Sequence, residues 1–395
     1  MAVLLLGSWL VGGCDDPDGS PPDMDATSAG STGADEPVGT TESPGEGSEG
    51  SGGSEGSGAP GEGTTGEGDT TSGSEDSSGG GAEPPAVDTF PGGADLACGN
   101  QVLPFTPPLD LTGLTPEDAY WMMWFARRTP LLGQPQVPAE LATIGFDDYV
   151  EIEVPAVSLQ AFVTAREDAV VVAFRGSQDI TDWLVNFSFA QVDGDLYDLP
   201  GRVHLGFSSA LAAAWEPLVA AVQERAAGGV PVWVTGHSLG GAMATVAAAR
   251  FLDLGLNVAP VYVFGQPRVG DQEFADAMQV EFAERFYRFA NGLDVVPRVP
   301  PAGESAAAAS AVLPIGGGLT EPLIAGLDYA HLGTLHRFED GAVVVDPPMD
   351  DSNDVAYWEA LDAAGWLALI TATQQGTWHS HDEYLCHLRQ WAFGG

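Results

Sequence analysis

The chain has 395 residues and carries 56 acidic groups against 13 basic ones, a formal charge of −43. Every basic residue is arginine. So acidic a chain lacks the positive surface that a nucleic-acid backbone or an anionic membrane would need, so neither is expected as a partner. In chain order, residues 1–13, MAVLLLGSWLVGG, are apolar but too short for a spanning helix, which needs about 20 residues; they read as an export signal. Residues 14–88 are almost entirely Gly, Ser, Thr, Pro, Asp, Glu and Ala, with no aromatic and no basic residue. Such a stretch has nothing to bury against the entropy of ordering its backbone, and it reads as a disordered tether. The remainder, 89–395, holds nine of the ten tryptophans and is long enough for one large core. A helix is predicted over 115–128, where Thr115 can cap, Pro116 suits the first position, and Glu117 and Asp118 suit the first turn. Strands follow at 149–155, 159–165 and 169–176, then a helix at 207–227 that Pro217 would bend. A strand at 230–236, a helix at 239–255, a strand at 259–265, a helix at 271–283 and a strand at 285–290 complete an alternating run. That alternation predicts an α/β fold with a largely parallel sheet covered on both faces. Residues 301–327 read as a surface excursion, 336–347 as a hairpin or edge strand, and 354–375 as a helix interrupted at Gly365.

The sharpest chemical signal is GHSLG at 236–240. It matches G-x-S-x-G, with a β-branched strand before it and a small-residue helix after it. A tight strand-to-helix turn of that kind lifts a serine hydroxyl out of the sheet and sets it at a helix N-terminus, where developing negative charge is favoured. Ser238 is therefore the candidate nucleophile of an α/β-hydrolase. A serine needs a base, and the base an orienting acid; in this superfamily the acid and then the histidine follow the serine in the chain. The acid should sit just past a strand. Asp294 follows the 285–290 strand, Asp271 follows the 259–265 strand, and Asp328 is a third choice. Five histidines follow: 331, 336, 379, 381 and 387. Composition alone selects none of them. Neither H-E-x-x-H nor a clustered Cys/His ligand set is present, so no metal or cofactor is expected. Three cysteines fit an exported chain: apart from Cys14, Cys98 and Cys386 lie near the two ends of the folded part. They could form one disulfide or stand as separate thiols.

Several segments in order resemble the class 3, fungal-type lipases: VVVAFRGSQDITDWLVNFSF, GRVHLGFSSAL, VTGHSLGGAMA, VFGQPRVGDQEFA, FANGLDVVPRVP and the terminal HDEY. The resemblance covers roughly 145–387. It implies a fungal-lipase-like α/β-hydrolase fold and ester hydrolysis. It implies Asp294 as the acid and His381 as the base, with His379 two residues away as the rival. It assigns the oxyanion hole to Ser177 in the F-R-G-S turn and to the backbone N–H of Leu239, and gives Arg175 a structural part. It places an amphipathic lid at 178–188, where Asp179, Asp182, Trp183, Leu184 and Phe187 would lie; a fixed surface helix is the plainer reading. Separately, LVGGC ahead of Cys14 resembles a bacterial lipobox, which implies cleavage before Cys14, lipid on its thiol, and a membrane-anchored exported protein. A secreted form is the other choice, and the basic residues usual at the start of such a signal are missing.

The expected activity is therefore that of a carboxylic ester hydrolase, with triacylglycerol as the leading substrate and an oil–water interface as its setting. A short-chain or aromatic-ester esterase, or a phospholipase A1, is the alternative within the chemistry. A non-catalytic surface or binding protein on the same scaffold is the alternative outside it. The excursion after Arg298 and the tether both depart from the secreted fungal pattern, so the family's substrate preference does not transfer directly.

Overall fold

The computed structural model describes residues 107–177, 189–292, 294–302, 305–310, 328–339, 342–346, 352–361 and 378–394. The expected leader and tether, Cys14, Cys98 and the lid residues Asp179, Asp182, Trp183, Leu184 and Phe187 lie outside the described residues.

Eight of the described strands form one sheet. They are β1 (Asp148–Val154), β2 (Leu159–Arg166), β3 (Ala169–Phe174), β6 (Val232–His237), β7 (Val261–Phe264), β8 (Phe286–Asn291), β9 (Thr334–Glu339) and β10 (Ala342–Asp346), in the order β1-β2-β3-β6-β7-β8-β9-β10. Two short strands, β4 (Gln191–Asp193) and β5 (Arg202–His204), pair separately. The centre, from β3 through β9, is parallel throughout, and both margins are antiparallel. Parallel strands are covered on both faces and so read as unbroken apolar runs. Every residue of AVVVAF, VWVTGH, VYVF and FYRFAN is buried.

Alternate side chains of each strand feed two separate cores, because strand periodicity is two. Val170, Val172 and Phe174 of β3, with Val232 and Val234 of β6, face one side. There they meet α3 (Leu205–Arg225), α4 (Leu239–Asp253) and α5 (Gln272–Phe282) through Phe207, Leu218, Phe251 and Phe274. Val171, Ala173, Trp233, Tyr262 and Phe264 face the other side. They meet α1 (Pro116–Arg128) and α8 (His381–Phe393), which pack on each other, through Met122, Phe125, Tyr384 and Leu388. The α1 start is as expected: Thr115 Oγ1 accepts from the Asp118 N–H at 3.0 Å, behind Pro116. Helix α3 is long and apolar enough to cross a membrane by composition, yet its Leu211, Ala214, Leu218 and Val222 are fully enclosed in the first core. It runs as one helix through Pro217. Three further helices are α2 (Gln136–Thr143), α6 (Ser305–Ser310) and α7 (Ser352–Ala360).

The β9–β10 hairpin forms the sheet edge, as its sequence predicts. The long helix predicted from 354 is described only as α7. Helix α8 was not read from the sequence. Its start carries a signal nonetheless: Ser380 caps it by accepting from the Glu383 N–H at 3.0 Å, an S-x-x-E arrangement.

Candidate active site

Ser238 stands between β6 and α4 with φ 59° and ψ −131°, a left-handed backbone unusual for a residue with a side chain. The surrounding glycines make this turn possible. A Cβ on Gly236 would lie 2.2 Å from the Gly240 carbonyl oxygen, and one on Gly240 would lie 2.2 Å from that of Phe174. Strand and helix thus approach to a distance that no other residue permits. The Ser238 N–H donates to the Phe264 carbonyl at 2.8 Å, which pins the turn to β7. The β3 turn runs alongside: a Cβ on Gly176 would sit 3.3 Å from Ser238 Cβ. Ser177 follows Gly176 directly. Leu239 is the first residue of α4, where backbone N–H groups have no intrahelical acceptor. Arg175 bonds Gln160 on β2.

Asp294 follows β8 and is 1% exposed. Its Oδ1 accepts from the Val296 N–H at 2.9 Å. Its Oδ2 meets His379 Nδ1 at 2.6 Å and accepts from the Tyr384 hydroxyl at 2.7 Å. An ionised carboxylate only accepts, so Nδ1 carries the proton and Nε2 presents its lone pair, the tautomer of a general base. The Tyr384 hydroxyl in turn accepts from the Asn291 N–H at 3.0 Å. Burial, followed by the Asp294 charge, holds the Tyr384 phenol well above its ordinary range, so it stays a donor. Gly265, at φ +55°, completes the enclosure, because a Cβ there would lie 2.8 Å from His379 Cε1 and 3.0 Å from Asp294 Oδ2.

The histidine on the acid is therefore His379, where the terminal H-x-x-Y pattern implies His381. The cause is local. Ser380 caps α8, so His379 lies outside the helix and reaches back to Asp294, while His381 is the first helical residue. The tyrosine of the pattern does reach the acid. The His381 ring rests 4.1 Å from that of His237, and His379 lies 4.5 Å from His237 on the same group of rings. Burial first, then the neighbouring His379, Arg127 and Arg175, pushes His381 down to about 3. Burial and the two other imidazoles also hold His237 well below its ordinary value. Neither Ser238 Oγ nor His379 Nε2 bonds another described group. The serine–imidazole bond is thus open here, and in such sites it commonly closes only around substrate.

The other candidates are accounted for elsewhere. Asp271 caps α5, its Oδ1 accepting from the Phe274 N–H at 2.9 Å. Asp328 is exposed, and its backbone carbonyl accepts from Gln191. His331 Nε2 bonds the Pro297 carbonyl at 2.7 Å. His336 packs against Phe289, and His387 against Phe338. Cys386 is disulfide-bonded. Among the described residues no group of three or more His, Cys, Asp or Glu is arranged to hold a metal ion.

With this geometry in place, comparison with known proteins is informative. Residues 171–304 match the class 3 lipase family. The chain is 40% identical over 143 residues to secreted mono- and diacylglycerol lipase 1 of Fusarium solani, covering 35% of this chain and 40% of that one. It is 37% identical over 146 residues to a lipase of Rhizomucor miehei, covering 34% and 39% respectively. It thus spans about 40% of the length of these relatives. Its fold is similar to the crystal structure of a fungal lipase at a TM-score of 0.51 and 17% identity, covering 70% of this chain and 96% of that one. Residues 171–304, about a third of the chain, thus resemble the class 3 lipases, and the mixed, mostly parallel sheet flanked by helices resembles the fold of a fungal lipase.

Proposed function

We propose that the chain hydrolyses carboxylic esters, acylglycerols foremost, through Ser238, His379 and Asp294. One observation carries this reading: a fully buried carboxylate meets an imidazole Nδ1 at 2.6 Å, on the sheet end where a strained serine heads a helix. In the proposed cycle His379 Nε2 takes the Ser238 proton as Oγ attacks the ester carbonyl. Asp294 fixes the tautomer and stabilises the imidazolium. The N–H groups of Ser177 and Leu239 receive the oxyanion. The alcohol departs with the proton from His379, and water then cleaves the acyl-enzyme by the same steps. Tyr384 keeps Asp294 aimed while this happens.

The names of the matched relatives favour glycerol esters and an exported enzyme. The leader-like first residues and Cys14 extend the proposal to a protein held at a membrane by a lipidated cysteine, with residues 14–88 as its tether.

The test is hydrolysis of glycerol esters from acetyl to oleoyl by the full-length chain, each assayed below and above its solubility limit, with Ser238→Ala as the blank. A Ser238-dependent rate that rises with chain length and jumps at the emulsion supports a lipase with a lid at 178–188. A rate that peaks at short chains, indifferent to the interface, makes it an esterase. No Ser238-dependent rate on any ester overturns the proposal.

A further inference from the structure

Asp354 lies on α7, outside the family-matched segment, and is 6% exposed. Two arginines converge on it. Arg268, fully enclosed, comes from the loop after β7, and its Nη2 meets Asp354 Oδ2 at 2.5 Å. Arg298 comes from the loop after β8, and its Nη1 meets Asp354 Oδ1 at 2.6 Å. Each guanidinium also donates to the backbone of the loop that carries Asp294. Arg298 Nη2 donates to the Gly292 carbonyl at 3.1 Å, and Arg268 Nη1 donates to the Pro300 carbonyl at 2.9 Å. The Arg268 N–H also donates to the Val299 carbonyl at 2.9 Å. One carboxylate thus joins two clamps, one at each end of the acid loop.

We propose that Asp354 is a positioning residue for Asp294: as shared counter-ion of Arg268 and Arg298, it holds both ends of the acid loop and so sets the aim of the acid on His379. The inference rests on Asp294 being the catalytic acid. Without Asp354 two guanidiniums face each other in a low-dielectric interior, and such pairs repel strongly. The loop yields at its two ends, because the Gly292 and Pro300 carbonyls are held through those groups. Val295, Val296 and Val299 of the loop pack with Trp358 of the same helix, so α7 and the loop share one apolar cluster. Asp354 also supplies negative charge near the site. Arg298 acts electrostatically on Tyr384, and Asp294, Arg298 and Asp354 all act on Tyr357. The groups facing His379 itself are Asp294, His237 and His381.

The experiment compares the full-length wild type with Asp354→Asn and Asp354→Glu on p-nitrophenyl butyrate, with fluorophosphonate labelling of Ser238 and thermal unfolding alongside. The expected result for Asp354→Asn is a fall in kcat of about 10- to 100-fold with KM within about threefold. Its acidic limb of kcat/KM should move to lower pH, because lost negative charge disfavours the imidazolium. Asp354→Glu keeps the charge; it should leave the limb in place and recover part of the kcat. A folded Asp354→Asn with wild-type kcat and an unmoved limb overturns the proposal, whatever its melting temperature. If Asp354→Asn does not fold, Asp354→Glu decides: a kcat below wild type with the limb in place supports the proposal, and an unchanged kcat overturns it. A wild type that neither labels at Ser238 nor turns over overturns the functional reading and this inference together. Wild-type turnover matched by both variants overturns this inference alone.

Discussion

Asp294 and His379 are 85 positions apart in the chain and 2.6 Å apart in the fold. His381 is nearer the textual pattern and farther from the acid. Two single substitutions separate them. His379→Ala should lower kcat/KM for a soluble ester by about 10³-fold or more, the loss expected when a triad member is removed. His381→Ala should stay within about tenfold of wild type, since it removes a ring that lies tilted against His237 and does not meet Asp294. Steady-state kinetics on both variants checks this. The reverse order would return the base to position 381.

Tyr384→Phe removes one of the donors to Asp294 and leaves the Asn291 N–H without its acceptor. A hydrogen bond to a charged group contributes roughly 1.5–3 kcal/mol. The expected outcome is a loss of that size in urea unfolding, with a clear fall in kcat and KM nearly unchanged. A fall confined to stability would make the phenol a structural strut.

Gly265→Ala places a methyl 2.8 Å from His379 Cε1 in a backbone conformation with φ +55°. The backbone alone costs roughly 1–2 kcal/mol, and a displacement near 1 Å at the reacting groups costs about 100-fold in rate. Both losses are expected together, read by unfolding and by kcat. Gly255→Ala, also at positive φ but with open space around it, should show the stability loss without the rate loss.

Acid should destabilise the fold through buried neutral imidazoles. His381 is pushed down to about 3, and His237 and His331 also lie well below their ordinary values, burial being the first cause in each. The unfolded chain binds protons at these sites near the ordinary imidazole value of 6.5. Between that value and about 3 the unfolded state holds more protons than the folded one, so stability rises with pH there. It is fully present above the unfolded value and lost as pH falls toward the folded ones. Urea midpoints at pH 7 and pH 4 should differ in that direction. His331→Gln, away from the base, should reduce the difference.

Much of this arrangement is legible in the residues because its causes are local. AVVVAF and VYVF are apolar without interruption, which is what a strand enclosed on both faces needs. GHSLG carries its own geometry, since only glycines at 236 and 240 let strand and helix meet. Asp294 follows a recognisable strand. The histidine that meets Asp294 is less legible because two histidines stand two residues apart, and the choice turns on where α8 begins. Ser380 and Glu383 encode that start, but the polar run HSHDEY does not look helical by periodicity. The Asp354 clasp is not legible at all. Its partners are 86 and 56 positions away, and a lone acid on a helix resembles any solvated surface residue.

Helix α8 has a consequence for the order in which the site comes into being. Synthesis delivers Ser238, the proposed nucleophile, first, Asp294 next and His379 last. On the proposed mechanism, a chain in which α8 has not yet docked against α1 can form the Ser238 bond to β7 before His379 reaches Asp294. Refolding should therefore show the sheet first and ester turnover afterwards, with the delay set by the meeting of α1 and α8.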